Sequence, residues 1–374
     1  MTQQACDPIG AGFEVAGWVH ALSGFIERHR RFWIALGNFE TRLIAGALEG
    51  VGIEQPVYVC GLARSGTTAL LELLARHPAV VTHRYRDFPP LFTPYLWNRW
   101  LERVPRRPEQ ARERTHADRI AITSESPEAF EEVLWMAFFP HLHDPGASAV
   151  FDGEVINERF EAFYRDHIRK LLTVRGGRRY VAKGNYNLTR LTYLQRLFPD
   201  ARFVIPVRDP VWHVASLVKQ QRLFTAGCRA RSWARNHLRR VGHFEFGPDR
   251  RPINAGDTAA TAEILACWAD GREVEGWARY WANLYGHVLN RLDADARLRQ
   301  ATLIIRYEDL CRRPRERCAE LLDHCRLLSV VEVEDEAARR LSLPAYYAPQ
   351  FDATERAVIG RETGAVAKRF GCGG

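Results

Sequence analysis

The densest chemistry in the chain lies in Val57-Tyr58-Val59-Cys60-Gly61-Leu62-Ala63-Arg64-Ser65-Gly66-Thr67-Thr68. A short apolar run feeds a glycine-bracketed turn, and a helical pattern follows from about Thr67 to Arg76. Gly61 and Gly66 let the backbone turn tightly, so that consecutive N–H groups converge on one anion. The following helix adds the positive end of its dipole. Thr67 and Thr68 supply hydroxyls at the first helical turn. A loop that binds ATP or GTP for hydrolysis carries lysine directly after its second glycine, to reach the β- and γ-phosphates. Here Thr67 holds that place and the cation is Arg64, whose planar guanidinium suits bidentate binding of a small oxyanion.

A second constellation follows in Arg202-Phe203-Val204-Ile205-Pro206-Val207-Arg208-Asp209-Pro210 and Val211-Trp212-His213-Val214-Ala215-Ser216. Arg208 leaves the carboxyl end of a buried strand, the rim where ligands bind in open α/β sheets. Ser216 lies eight residues on, about two helical turns away, within reach of the same anion. A GxxRSGTT loop followed by RDPxxxxxS resembles the sulfotransferase family. The resemblance implies a three-layer, P-loop-like α/β fold with a central parallel sheet and helical insertions. It also implies 3′-phosphoadenylyl sulfate (PAPS) as sulfuryl donor and 3′-phosphoadenosine 5′-phosphate (PAP) as product. Gly61, Arg64, Ser65, Gly66, Thr67 and Thr68 would then bind the 5′-phosphosulfate, and Arg208 and Ser216 the 3′-phosphate. Ile304-Ile305-Arg306-Tyr307-Glu308-Asp309-Leu310 resembles the stretch after the family's last strand, where Tyr307 and Leu310 pack and Glu308 or Asp309 caps or pairs. With arginine in the loop, the chain is more similar to the bacterial, carbohydrate-type and tyrosyl-protein branches than to the small-phenol branch.

Sulfuryl transfer needs a base, cations or dipoles over the transferring group, and a stabilised leaving phosphate. Lys183 ends a strand candidate, where the family often has a lysine on the bridging oxygen. In the phenol and steroid branch a histidine base stands two residues later; here that place is Asn185, which is no base at neutral pH. Other branches use a carboxylate soon after a His-Pro pair. In His77-Pro78-Ala79-Val80-Val81-Thr82-His83-Arg84-Tyr85-Arg86-Asp87 the titratable candidates are Asp87, which is favoured, and His83. Against them stands the plainer reading of Asp87 pairing with Arg84 or Arg86 and His83 hydrogen-bonded in the core. His141 and His143 are spaced i, i+2 without a third ligand, and no metal is expected.

The elements that must position these residues alternate. Residues 17–50 read as helical; strands fall at 56–60, 79–82, 179–182, 201–207 and 301–306; helices fall at 127–140, 157–175, 188–198, from 211 and over 261–292. Strand–helix alternation predicts a parallel sheet covered on both faces. The segment 83–115, rich in Pro, Arg and aromatics, reads as a loop over the site, and 225–260 as an insertion or lid. One domain over 1–374 is expected, with insertions at about 83–175 and 219–300 forming the acceptor side. The net charge of +8 suits a polyanionic ligand, and nucleic acid is not expected. The start of the chain lacks a basic, then continuously apolar, pattern, and no stretch reaches the ~20 apolar residues of a membrane span. A cytoplasmic protein with reduced cysteines is expected. Cys311, Cys318 and Cys325 recur along one helical face.

The acceptor is expected to be a small molecule or glycan, with a carbohydrate or glycolipid favoured: Tyr85, Phe88, Phe92, Tyr95, Trp97 and Trp100 either stack on sugar or pack. Two other readings stand beside this one. A nucleotide-dependent phosphotransferase lacks its lysine after Gly66. A non-catalytic nucleotide- or glycan-binding module would use Arg229, Arg231, Arg235, Arg239, Arg240 and Trp233.

Overall fold

Val57–Cys60 (β1) is apolar and buried at every position, as a strand covered on both faces must be. In the computed structural model, which describes residues 12–105, 109–343 and 348–372, this strand is the middle of a five-stranded sheet. Its neighbours are β2 (Val80–Val81), β5 (Arg179–Gly184), β6 (Arg202–Val207) and β7 (Thr302–Arg306), in the order β2-β5-β1-β6-β7. Every pairing is parallel. A two-stranded antiparallel hairpin, β3 (Arg112–Glu113) and β4 (Ala121–Ile122), stands apart from it. Helices flank the sheet, so the fold is α/β with a central parallel sheet. Two apolar clusters lie against it, one around Tyr58, Trp135, Phe160 and Trp281 and the other around Val57, Leu70, Val204 and Leu321.

The helices that bear on the site are α1 (Gly17–Arg28), α2 (Arg30–Leu43), α3 (Thr67–Leu74), α4 (Pro94–Arg103), α5 (Glu131–Phe138), α6 (Glu158–Arg175), α7 (Pro210–Ala230), α8 (Ser232–Val241), α9 (Glu273–Ala294) and α10 (Tyr307–Arg312). Asp209 caps α7, accepting from the Val211 and Trp212 amides at 3.0 and 3.2 Å, and Pro210 occupies the first helical position where its missing N–H costs nothing. Asn157 caps α6 by accepting from the Phe160 amide at 3.0 Å.

Two expectations change. The 83–115 segment is not simply a loop: Pro94 opens α4 instead of breaking it, and Leu91 and Phe92 are buried. Nor is 225–260 a lid. α7 and α8 occupy most of its first half, and Gly242-His243-Phe244-Glu245-Phe246-Gly247 turns back into the core, burying Phe244 and Phe246. Gly242 and Gly247 have φ of +77° and +90°, and this corner needs both. At least three of the five clustered arginines are engaged within the fold. Arg235 and Arg239 each grip Asp249 at 2.7–2.8 Å, Arg240 bonds Glu27 of α1, and Trp233 stacks on His20 with centroids 4.5 Å apart.

Candidate functional site

The register places the polar residues. Val59 stands opposite Lys183 and Cys60 opposite Gly184, while Val207 stands opposite Arg306. The glycine loop, Lys183, Arg208 and Tyr307 therefore all leave the carboxyl rim of the sheet, on the two sides of β1. A Cβ on Gly61 would stand 2.7 Å from Ser65 Oγ and 2.9 Å from Thr67 Cγ2, so the loop closes only over glycine there. Gly66, with φ of +108°, precedes α3; a Cβ on it would meet Tyr307 Cδ2 at 2.6 Å. The same Tyr307 ring carries the Arg208 guanidinium, 5.4 Å from its centroid. Tyr307 thus ties the glycine turn to the second motif.

Arg64 makes the other tie. Its backbone is left-handed, with φ of +74°, and its Nε donates to Ser216 Oγ at 3.2 Å. Arg64 Nη1 donates to Asp118 Oδ2 at 2.7 Å. Asp118 sits at the tip of the β3–β4 hairpin and also accepts from Arg114, whose Nη1 donates to Thr68 Oγ1 at 3.1 Å. Burial would raise the Asp118 carboxyl, but Arg114 and Arg64 hold it far below the ordinary range. Two guanidinium groups thus converge over the loop beside Thr68.

His213 was not singled out from sequence, yet with Glu308 it fixes this rim. Buried His213 takes the Trp281 Nε1–H on Nδ1 at 3.1 Å, so its Nε2–H donates to the Ala63 carbonyl at 2.8 Å. Burial pulls its pKa down to about 3, so the ring is neutral and pins the loop without adding charge. Glu308 accepts from the Asp209 amide at 3.0 Å, next to Arg208, while Asp309 pairs with Arg312 at 3.8 Å.

Asp87 and His83 are placed otherwise. Asp87 is 2% exposed and accepts from Arg175 Nη2 at 2.6 and 2.7 Å, the Arg84 amide at 2.8 Å and Asn98 Nδ2 at 3.2 Å. His83 lies 3.4 Å from it through Nδ1, and its Nε2 faces His167 Nε2 at 3.1 Å. Burial would raise the Asp87 carboxyl, but His83 and Arg175 hold it well below the usual carboxylate range. These are the marks of an inner salt bridge, but with Arg175: the expected partners Arg84 and Arg86 pair with Glu125 instead. His143 pairs with Glu132 at 2.8 Å, and no cluster of metal-ligating groups occurs among the described residues.

The charge of a different carboxylate, Glu128, acts on Lys183. Residues 123–129 run back along the His83–Asp87 window: Arg84 bridges Pro127, and the Glu128 amide donates to the His83 carbonyl at 3.0 Å. Tyr85 hydrogen-bonds the Glu128 side chain. Burial would raise Glu128, but the Lys183 charge, Tyr85 and the Ala129 amide hold it below the ordinary glutamate range. Burial lowers Lys183, with the charge of Glu128 opposing that and those of Arg114, Glu245 and Arg64 also reaching it. Asn185 donates to Glu245 Oε1 at 2.7 Å, and His243 Nδ1 lies 3.2 Å from Glu245 Oε2. Lys183 thus leaves the same rim as the glycine loop and feels the charges of Glu128 and Glu245. An acid and a cation within reach of each other's charge at a sheet rim are equipped to take a proton from a hydroxyl and hold a small oxyanion.

A family model described as "Sulfotransferase family" matches residues 56–247, a span that holds both anion motifs, Glu128, Lys183 and Glu245. Among solved structures, the chain is similar to sulfotransferase STF9 from Mycobacterium avium at 16% identity, covering 94% of this chain and 81% of that one, with a TM-score of 0.49. Sulfotransferase STF1 from Mycobacterium tuberculosis H37Rv is 16% identical over 90% of this chain and 81% of that one, with a TM-score of 0.45. The sulfotransferase domain from the curacin biosynthetic pathway is 14% identical over 86% and 99%, with a TM-score of 0.38. No curated protein matches the chain.

Proposed function

The chain belongs to the sulfotransferase family, and on that premise we propose that it moves a sulfuryl group from PAPS to an acceptor hydroxyl. The observation that carries this reading is the meeting of the two anion motifs at one rim. Arg64 of the glycine loop bonds Ser216 at 3.2 Å, and Tyr307 packs on Gly66 while lying under Arg208. The donor fits the residues present. The cradle that a Cβ would fill at Gly61 and Gly66 takes the 5′ side, with Arg64, Ser65, Thr67 and Thr68. Arg208 and Ser216 take the 3′-phosphate, the group that marks this donor.

In the proposed reaction Glu128 accepts the acceptor's hydroxyl proton as its oxygen bonds to sulfur. Lys183 and Arg64, with the loop amides, hold the charge that grows on the phosphate oxygen as its bond to sulfur breaks. Such a transition state is loose, by analogy with phosphoryl transfer, so a weakly basic carboxylate suffices and positioning supplies most of the rate. Glu128, Glu245, Asn185 and Tyr85 make the acceptor side rich in hydrogen-bonding groups, which supports a hydroxyl-rich acceptor of the carbohydrate or glycolipid class over a bare phenol. Among the sequence aromatics, Phe88 and Phe92 are buried packing residues, so sugar stacking does not draw on them.

Transfer of radiolabel from PAPS to a panel of sugars, glycolipids, phenols and amines tests the reading. Glu128→Gln is expected to lower kcat by about 10²–10³, with PAP affinity within about twofold of wild type. Unchanged turnover in this variant would remove Glu128 from the mechanism; no transfer to any acceptor would remove the reaction itself.

A further inference from the structure

Beyond the reaction, a second surface of the molecule is built for contact. α2 buries Ile34, Gly37 and Glu40, and its opposite face carries Phe32, Phe39 and Leu43, which are 50–59% exposed. The buried side is held firmly. Lys170 of α6 lies 3.0 Å from Glu40 and donates to the Gly37 carbonyl at 2.6 Å, while Glu40 accepts the Leu96 amide of α4 at 2.7 Å. That last bond sets α4 beside α2, where Trp100 is 52% exposed and stacks on Trp97 at 4.8 Å. α1 adds Trp18, 57% exposed. Phe25 contacts His29 and Trp33 across the break between α1 and α2, with centroids 4.7 and 6.5 Å apart. Isolated exposed apolar residues need no explanation, but a contiguous aromatic face marks an interaction site.

The charges around this face choose the partner. Arg28, Arg31 and Arg42 on α1 and α2 and Arg103 on α4 are exposed, and none of the four has an ion pair among the described residues. The nearby acids are already taken: Glu27 by Arg240, Glu102 by Arg99 and Glu40 by Lys170. The face is thus apolar and aromatic in the middle and cationic at its edges. A two-fold contact with a second copy would set these arginines against each other. An interfacial amphipathic surface on an anionic bilayer needs this very pattern, with Trp and Phe entering the headgroup boundary and Arg meeting the lipid charge. No described helix is long and apolar enough to cross a membrane, so the contact would be peripheral.

We propose that the outer faces of α1, α2 and α4 dock the protein onto an anionic lipid surface. In a co-sedimentation test the full chain is expected to pellet with vesicles of phosphatidylcholine containing phosphatidylglycerol. Its affinity for vesicles of phosphatidylcholine alone is at least tenfold weaker, and high salt weakens the anionic binding. The triple variant Phe32→Ser, Phe39→Ser, Trp100→Ser loses binding by at least tenfold. Arg31→Gln combined with Arg42→Gln, which leaves the aromatic packing alone, loses on the order of twentyfold at about fivefold per charge. PAP binding and thermal melting serve as folding controls, so this outcome is read separately from sulfuryl transfer. The proposal is overturned if the wild type ignores both vesicle types, or if the double arginine variant binds anionic vesicles as well as wild type. It is equally overturned if light scattering shows a dimer that the triple variant converts to monomer, which would assign the face to a second copy.

Discussion

Two carboxylates stand near the His-Pro window, and the proposed reaction gives them opposite duties on the strength of their partners. Both Asp87 oxygens accept from Arg175, with Arg84 N–H and Asn98 as further donors, so they have no lone pair to spare for a substrate. Asp87→Asn would strand the buried Arg175 and is expected to cost about 3–5 kcal/mol of stability, seen as a lowered Tm, while the folded fraction keeps most of its turnover. A variant that melts like wild type yet is inactive would return the base role to Asp87. Glu128 is the reverse case, with the Lys183 charge and the Tyr85 hydroxyl acting on its buried carboxylate. Because Lys183 and Tyr85 hold it below the ordinary glutamate range despite burial, the base stays ionised as pH falls. The acidic limb of kcat/KM is therefore expected below the ordinary glutamate range, and an acidic limb near that of a free imidazole, about pH 6.5, would point to a histidine instead.

At the scale of elements, the anion loop is a strand-to-helix corner locked from three sides. Gly61 closes against Ser65 and Thr67, Gly66 takes a left-handed turn under Tyr307, and neutral His213 holds the Ala63 carbonyl. Gly66→Ala meets both an unfavourable φ and the Tyr307 ring. At about 1–3 kcal/mol for such strain, PAP affinity should fall roughly tenfold or more, by calorimetry, while wild-type affinity would show that Tyr307 yields freely. Both anion motifs were legible in the sequence because each is one contiguous strand–turn–helix whose chemistry is set by local spacing. Glu128 was not, since it reaches Lys183 only through the non-local Arg84–Pro127 bridge. The same holds for Glu245, carried to Asn185 by a corner whose glycines resemble loop punctuation. Pro94 misled for a local reason: a proline at a first helical position and a proline that breaks a helix look alike until the capping geometry is known.

Across the whole molecule, the parallel sheet turns separated sequence motifs into one site. β5 delivers Lys183 on one side of β1 and β6 delivers Arg208 on the other, so both flank the glycine loop that leaves the end of β1, the rim where open α/β sheets bind ligands. The excess of eight positive charges favours approach of a polyanionic nucleotide from a distance, but charge alone does not distinguish a 3′-phosphate from a γ-phosphate. In the proposed reading, selectivity comes from Arg208 and Ser216. The most direct measurement is calorimetric titration of wild type and Arg208→Ala with PAP, AMP and ATP·Mg²⁺. PAP is expected to bind wild type at least about a hundredfold tighter than AMP, since charged hydrogen bonds contribute about 1.5–3 kcal/mol each, and Arg208→Ala should erase most of that preference. Equal affinities for PAP and AMP, or tighter binding of ATP·Mg²⁺, would contradict the account.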